Sequence, residues 1–288
     1  MMDEKLNSLD NNPSKAYALF YSFFLIPLMI TIFGVLFFFL FKMLTYEKQD
    51  PYHLLNNIKS GSLTKRWQSA FELSNLMTDT NNIPIDPFFT SQMITMYKNS
   101  IHDDYRVRTY LALAMGQTKN IVFGDILMKG VDDDNLENKI AAIKALGSIN
   151  YKPAADKLNQ IVSSDNNNQV RLASVISLGQ IKDISSLNIL ISALDDDEAN
   201  IRWDTAIALT KMGSDKGLYV LEKLLKREYY SNYPNVDNNE INNTILTILA
   251  LISINPNKIF EDELNILSKK EQNIKIREFS MKILSEHY

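Results

Sequence analysis

No cysteine occurs anywhere in the 288-residue chain. Disulfides, thiolate metal sites and cysteine nucleophiles are excluded together, while the compartment stays open, because a chain without thiols is indifferent to redox state. Histidine is scarce as well: His53, His102 and His287 are scattered, without the paired spacing of a metal site. Nine glycines and eight prolines are few for this length, which suits a helical protein. Neither a glycine-rich phosphate loop nor a G-x-S-x-G elbow is present. Basic charge is also short: 30 Lys and Arg against 34 Asp and Glu give a net charge of −4, which argues against a nucleic-acid partner. No residue pattern calls for a cofactor or a catalytic constellation.

What is present begins with one charge-free run, AYALFYSFFLIPLMITIFGVLFFFLF, over residues 16–41. At about 1.5 Å per residue, a helix of this length exceeds the roughly 30 Å hydrocarbon core of a bilayer. Tyr17, Tyr21 and Tyr46 stand where interfacial aromatics belong. The run is too long for a cleaved signal peptide, and no small-residue cleavage site follows it. The sequence predicts a disordered tail over 1–15, a transmembrane helix over 16–44, a juxtamembrane link over 45–50 and a folded domain over 51–288. Lys5 and Lys15 precede the span, whereas Lys42, Lys48 and Lys59 follow it. That balance leans toward a cytoplasmic domain, with the periplasm as the alternative.

The folded domain repeats itself. Asp103 precedes Arg108, Asp134 precedes Lys139, Asn166 precedes Arg171 and Asp197 precedes Arg202, each by five residues. The basic positions recur at intervals of 31 (139−108), 32 (171−139) and 31 (202−171) residues. Each opens a stretch of small and apolar residues: VRTYLALAMG, NKIAAIKALG, VRLASVISLG and IRWDTAIALT. A fixed period of this size means stacked two-helix units. From Pro51 onward the chain reads as seven helix pairs. The acidic or amide residue is expected to cap the second helix of each pair, and the basic residue to reach back to its own or a neighbouring turn, giving a ladder along one edge. Ala112, Ala114, Ala141, Ala145, Ala173, Ser177, Ala206 and Ala208 are expected to let helices approach closely, with Leu146, Leu178 and Leu209 filling the space between layers.

The strings DDDNLENKIAAIKALGSI and DDDEANIRWDTAIALTKMG, in which an acidic turn leads to a basic residue, small residues and A-L-G, resemble HEAT repeats. They are similar in particular to the short bacterial type also found in phycobilisome-lyase-like proteins. The resemblance is strong over residues 103–213 and weakens toward both ends. Gly61 and Ser62 stand where an acid is expected, Asn242 replaces the basic residue, and the last unit keeps Arg277 but lacks its acidic cap. The resemblance implies an all-α solenoid that presents a surface for binding. An anchor followed by such repeats resembles single-pass bacterial membrane proteins, and implies an inner-membrane scaffold or adaptor for a membrane protein complex. The alternative it implies is a lyase-like enzyme or chaperone factor of the bilin-lyase type.

Three features are candidate contact sites for a protein partner. The acidic turns at 103–104, 132–134 and 195–198 form a strip for a basic partner or cations, or else serve only as solvated caps. Trp67 and Trp203 occupy the same repeat position, where the equivalents Ile140 and Leu172 favour core packing over an exposed anchor. Residues 227–239, REYYSNYPNVDNN, lengthen one turn, and Tyr229, Tyr230 and Tyr233 there form either an adaptable contact surface or a local packing cluster.

Overall fold

Eight of the α-helices from Asp50 onward start where a short polar side chain takes up free N–H groups of a first turn. Asp50 and Asp86 do so ahead of Pro51 and Pro87 at the first helical position. Ser62, Asp104, Asn135, Asn167, Asp237 and Asn273 accept from backbone N–H groups in the same way. Helix ends are equally regular. Lys119, Asn150, Lys182 and Gly213 adopt φ of 54°, 55°, 55° and 79°, closing every second helix over four repeats with a left-handed residue. This backbone repeat has the same 31- or 32-residue period as the basic residues.

The computed structural model describes residues 20–44 and 50–288, which form two units divided between Gln49 and Asp50. The expected tail over 1–15, the first residues of the span and all of the link but Asp50 lie outside the described residues. The first unit is one apolar helix. A π-helical turn, Tyr21–Leu25, runs into α1, Ile26–Leu44. An 18-residue stretch within Tyr21–Leu44 has a mean hydropathy of 2.7, and by length and composition the helix suffices to cross a membrane.

The second unit contains seven antiparallel helix pairs: α2 (Pro51–Ser60) with α3 (Leu63–Leu76), α4 (Pro87–Asn99) with α5 (Tyr105–Gln117), α6 (Gly124–Gly130) with α7 (Leu136–Ser148), α8 (Ala155–Ser164) with α9 (Asn168–Ile181), α10 (Leu187–Ala193) with α11 (Ala199–Lys211), α12 (Leu218–Leu225) with α13 (Asn238–Ile254), and α14 (Glu261–Lys270) with α15 (Ile274–His287). The described residues contain no strand. Second helices stack closely on one another and first helices touch less, so the second layer lines the inside of the solenoid. Between the layers lie Leu127, Leu158, Leu190 and Leu221 from the first helices and Leu111, Leu146, Leu178 and Leu209 from the second, all fully buried.

The A-L-G pattern has a steric cause. A Cβ on Gly147 would sit 2.7 Å from the Cα of Ser177, and one on Gly179 would sit 2.9 Å from the Cα of Ala208. Adjacent second helices thus meet backbone to backbone, and Ser177 Oγ donates to the Ile143 carbonyl across the gap at 2.9 Å. Residues 227–239 are ordered structure rather than an open loop: Arg227–Asn232 forms a 3-10 helix and α13 begins at Asn238.

Candidate interaction surfaces

The turns within pairs carry the acidic edge, and the ladder carboxylates there take up to two tasks. Asp133, Asp165, Asp196 and Glu271 accept the backbone N–H two residues on, at 2.9, 2.8, 2.9 and 2.8 Å, which shapes the turn. All but Asp165 also face an arginine of the preceding pair. Arg66 pairs with Asp103, Arg108 with Asp133, and Arg171 forks onto Asp196 at 3.0 and 3.1 Å. Arg171, Arg202 and Arg277 also donate to the carbonyls of Asp165, Asp196 and Glu271, each six residues back. Burial alone would push the Asp196 carboxyl up, but hydrogen bonds from Arg171 and the Glu198 N–H hold it below its ordinary value.

Asp103 stands in the ladder at the five-residue spacing, but in the next three repeats the ladder runs one residue earlier. Asp134, Asn166 and Asp197 are exposed, and the side chains that do the work are Asp133, Asp165 and Asp196. Caps likewise fall on Asp104, Asn135 and Asn167, while Glu198 precedes α11 without a side-chain cap. Lys139 forms no ion pair among the described residues.

Pair 6 breaks the pattern, and the insertion repairs it. Arg202 Nη2 meets the Tyr233 hydroxyl at 3.3 Å where a carboxylate would otherwise stand. Asn242 replaces the basic residue, and Arg227 takes its place by donating to Asn242 Oδ1 at 2.6 Å and forking onto Glu271 at 2.8 and 2.9 Å. Trp203, 6% exposed, is enclosed by Tyr229, Tyr230 and Tyr233, with the Tyr233 ring 5.0 Å away edge to face. Tyr230, 4% exposed, donates to the Leu224 carbonyl at 2.7 Å, and burial raises its hydroxyl pKa. Of the five aromatic candidates, Trp203 and Tyr230 are thus withdrawn into the fold. Tyr229, Tyr233 and Trp67 remain half-buried, Trp67 beneath the Arg106 guanidinium at 4.1 Å.

The inner face holds a site that repeat spacing does not announce. Between α11 and α13 lies a cavity of about 450 Å³ lined by Asp204, Ile207, Asp237, Asn239, Glu240, Asn243, Thr244 and Thr247. Burial pushes the Asp204 carboxyl up to about 6, against only a partial lowering by Lys211. The trace in the sequence is slight: Asp204 stands where the neighbouring repeats have Ala141 and Ala173. A second cavity of about 380 Å³, on the acidic edge, includes Asp103, Arg108, Lys129 and Asp132. Among the described residues no group of three or more His, Asp or Glu is placed to hold a metal ion.

An all-helical stack of short antiparallel pairs joined by an arginine–carboxylate ladder defines a repeat solenoid. Residues 95–232 match the family model described as HEAT repeats, in two overlapping stretches, 95–178 and 155–232. Among solved structures, the chain is similar to the complex of CpcE and CpcF of phycocyanin lyase from Nostoc sp. PCC7120, at 16% identity and a TM-score of 0.56, over 84% of this chain and 96% of that one. A designed armadillo repeat protein matches at 14% identity and a TM-score of 0.43, over 82% and 99% of the two chains. Human deoxyhypusine hydroxylase matches at 11% and 0.34, over 82% and 84%. No curated protein matches the chain.

Proposed function

We propose that this protein is a membrane-tethered scaffold whose inner face binds a protein partner through a cationic segment. The observation that carries the reading is the polar cavity between α11 and α13 on the inner layer. Asp204, Asp237 and Glu240 supply negative charge there, and Asn239, Asn243, Thr244 and Thr247 supply neutral hydrogen-bonding groups. An arginine or lysine side chain entering it would meet a carboxylate already removed from water, where charge-assisted hydrogen bonds are strong. The half-buried Tyr229, Tyr233 and Trp67 belong to the proposal as flanking contacts. In this reading α1 is a retained membrane span, the solenoid is cytoplasmic, and tethering raises the local concentration of the solenoid for a partner in a membrane complex.

The test is site-specific photocrosslinking of the full chain in cells. A photoreactive residue in place of Asn243, on the inner helix α13, is expected to give a discrete product that Asp204→Lys abolishes. The same residue at Gln160, exposed on the outer helix α8, should give none. Products of equal yield from both positions, or none from residue 243, would contradict the proposal.

A further inference from the structure

The edge opposite the acidic turns has its own chemistry. Five successive turns between pairs cover residues 118–123, 149–154, 181–186, 211–217 and 254–260. They carry Lys119, Lys152, Lys182, Lys211, Lys216 and Lys258, all exposed, and none of them in a salt bridge among the described residues. Within the turns Asp183 and Asp215 oppose them, Asp183 being engaged with Ser185 through the Ser185 backbone N–H and hydroxyl, and Asp125, Asp156, Glu261 and Asp262 follow in the first turns of the next helices. Between the lysines stand large aliphatic side chains open to solvent: Ile121 and Val122 at 56% and 59%, Ile184 at 79%, and Ile254 and Ile259 at 74% and 40%. The first inter-pair turn differs. It has no lysine and its Asp79 and Asp86 act as caps, but it presents Ile85, 98% exposed.

We propose that this lysine and isoleucine edge docks against an anionic lipid surface. With stacked helices about 10 Å apart, five turns make a strip about 40 Å long. Unpaired lysines interleaved with isolated aliphatic side chains are what such a surface binds, the ammonium groups at anionic headgroups and the isoleucines at the acyl boundary. The aliphatic residues recur along the strip and are not gathered into a pocket, which fits a flat bilayer better than a folded acidic protein. The opposite edge, rich in aspartate, would be repelled by the same surface. The inference goes beyond the scaffold reading and takes from it only the nearness of a membrane, since just residues 45–49 separate α1 from the solenoid unit.

The absence of cysteine permits a direct test on the full chain. A single environment-sensitive fluorophore is attached through Ile184→Cys or, on the acidic edge, Asp134→Cys. The protein is reconstituted into vesicles of phosphatidylcholine, alone or with about one-third phosphatidylglycerol, that contain a lipid-borne quencher. Quenching at residue 184 should rise with the anionic lipid and stay low at residue 134. Replacing the six lysines with glutamine should return quenching at residue 184 to its level in neutral vesicles. Equal quenching at both positions, or quenching at residue 184 indifferent to anionic lipid or to the lysines, would overturn the proposal. So would lipid-independent, concentration-dependent shielding of residue 184, which would mark a second copy as the occupant. Washing with alkaline carbonate scores the tether separately: protein stripped from anionic vesicles that had shown the expected quenching refutes a membrane span while upholding the edge.

Discussion

At the scale of the residue, ionisable side chains in this solenoid differ by whether a partner meets them. Asp196 and Glu271 are drawn out of water but receive arginine forks and backbone N–H groups, and their pKa values fall. Asp204 loses water without such a partner, and its carboxyl rises from 3.8 to about 6. The sign for stability follows from proton uptake: between these values the folded chain holds more protons at this site than the unfolded chain. Any stability from Asp204 is therefore fully present below about pH 4 and is lost as pH rises through about 6. Asp204→Asn should remove that pH dependence and make the folded state more stable at pH 7, by about 3 kcal/mol. Urea titrations of both proteins at pH 4 and pH 7 check this, and an equal loss of stability across that interval in both would sink it. A bound cationic segment would reverse the balance by holding the carboxylate ionised.

At the scale of the element, the insertion at 227–239 belongs to the fold. Arg227→Ala would leave Glu271, whose side chain is 3% exposed, without its cation. The expected cost is about 2–4 kcal/mol, whereas Arg106→Ala, which breaks an exposed pair with Asp104, should cost about 1 kcal/mol or less. Equal midpoints in denaturant for the two variants would show that the insertion does not close the ladder. A second comparison probes the close helix contact. Gly147→Val forces bulk against the Ser177 backbone and should cost about 1–3 kcal/mol, while Asp134→Asn on the exposed turn should change stability by about 0.5 kcal/mol or less; thermal melts that rank them the other way would refute the helix register. Helix pairs were legible in the sequence because a 31- or 32-residue period fixes them many times over. The ladder was legible only to within one residue, because runs such as Asp132–Asp133–Asp134 offer several acids and spacing does not say which one the preceding arginine reaches. The packing of Tyr229, Tyr230 and Tyr233 on Trp203, and of Arg227 on Glu271, joins residues 26 to 44 positions apart, and no local pattern encodes it.

At the scale of the whole molecule, the solenoid unit encloses its own core, and each layer is held by its neighbours. A fragment comprising residues 50–288 should therefore be soluble and helical by circular dichroism, with a cooperative melt. An insoluble or unfolded fragment would mean that α1 is part of the folding unit. The central claim is that the inner face engages a partner at a membrane. Its most direct measurement follows the product crosslinked from residue 243 through alkaline carbonate extraction of the full chain. The account predicts that the product stays with the washed membranes, and that Leu36→Arg with Phe37→Arg, which places two charges in the middle of α1, moves the uncrosslinked chain to the soluble fraction. A product that is soluble in the unaltered chain, or an uncrosslinked chain that stays with the washed membranes despite those two charges, would contradict it.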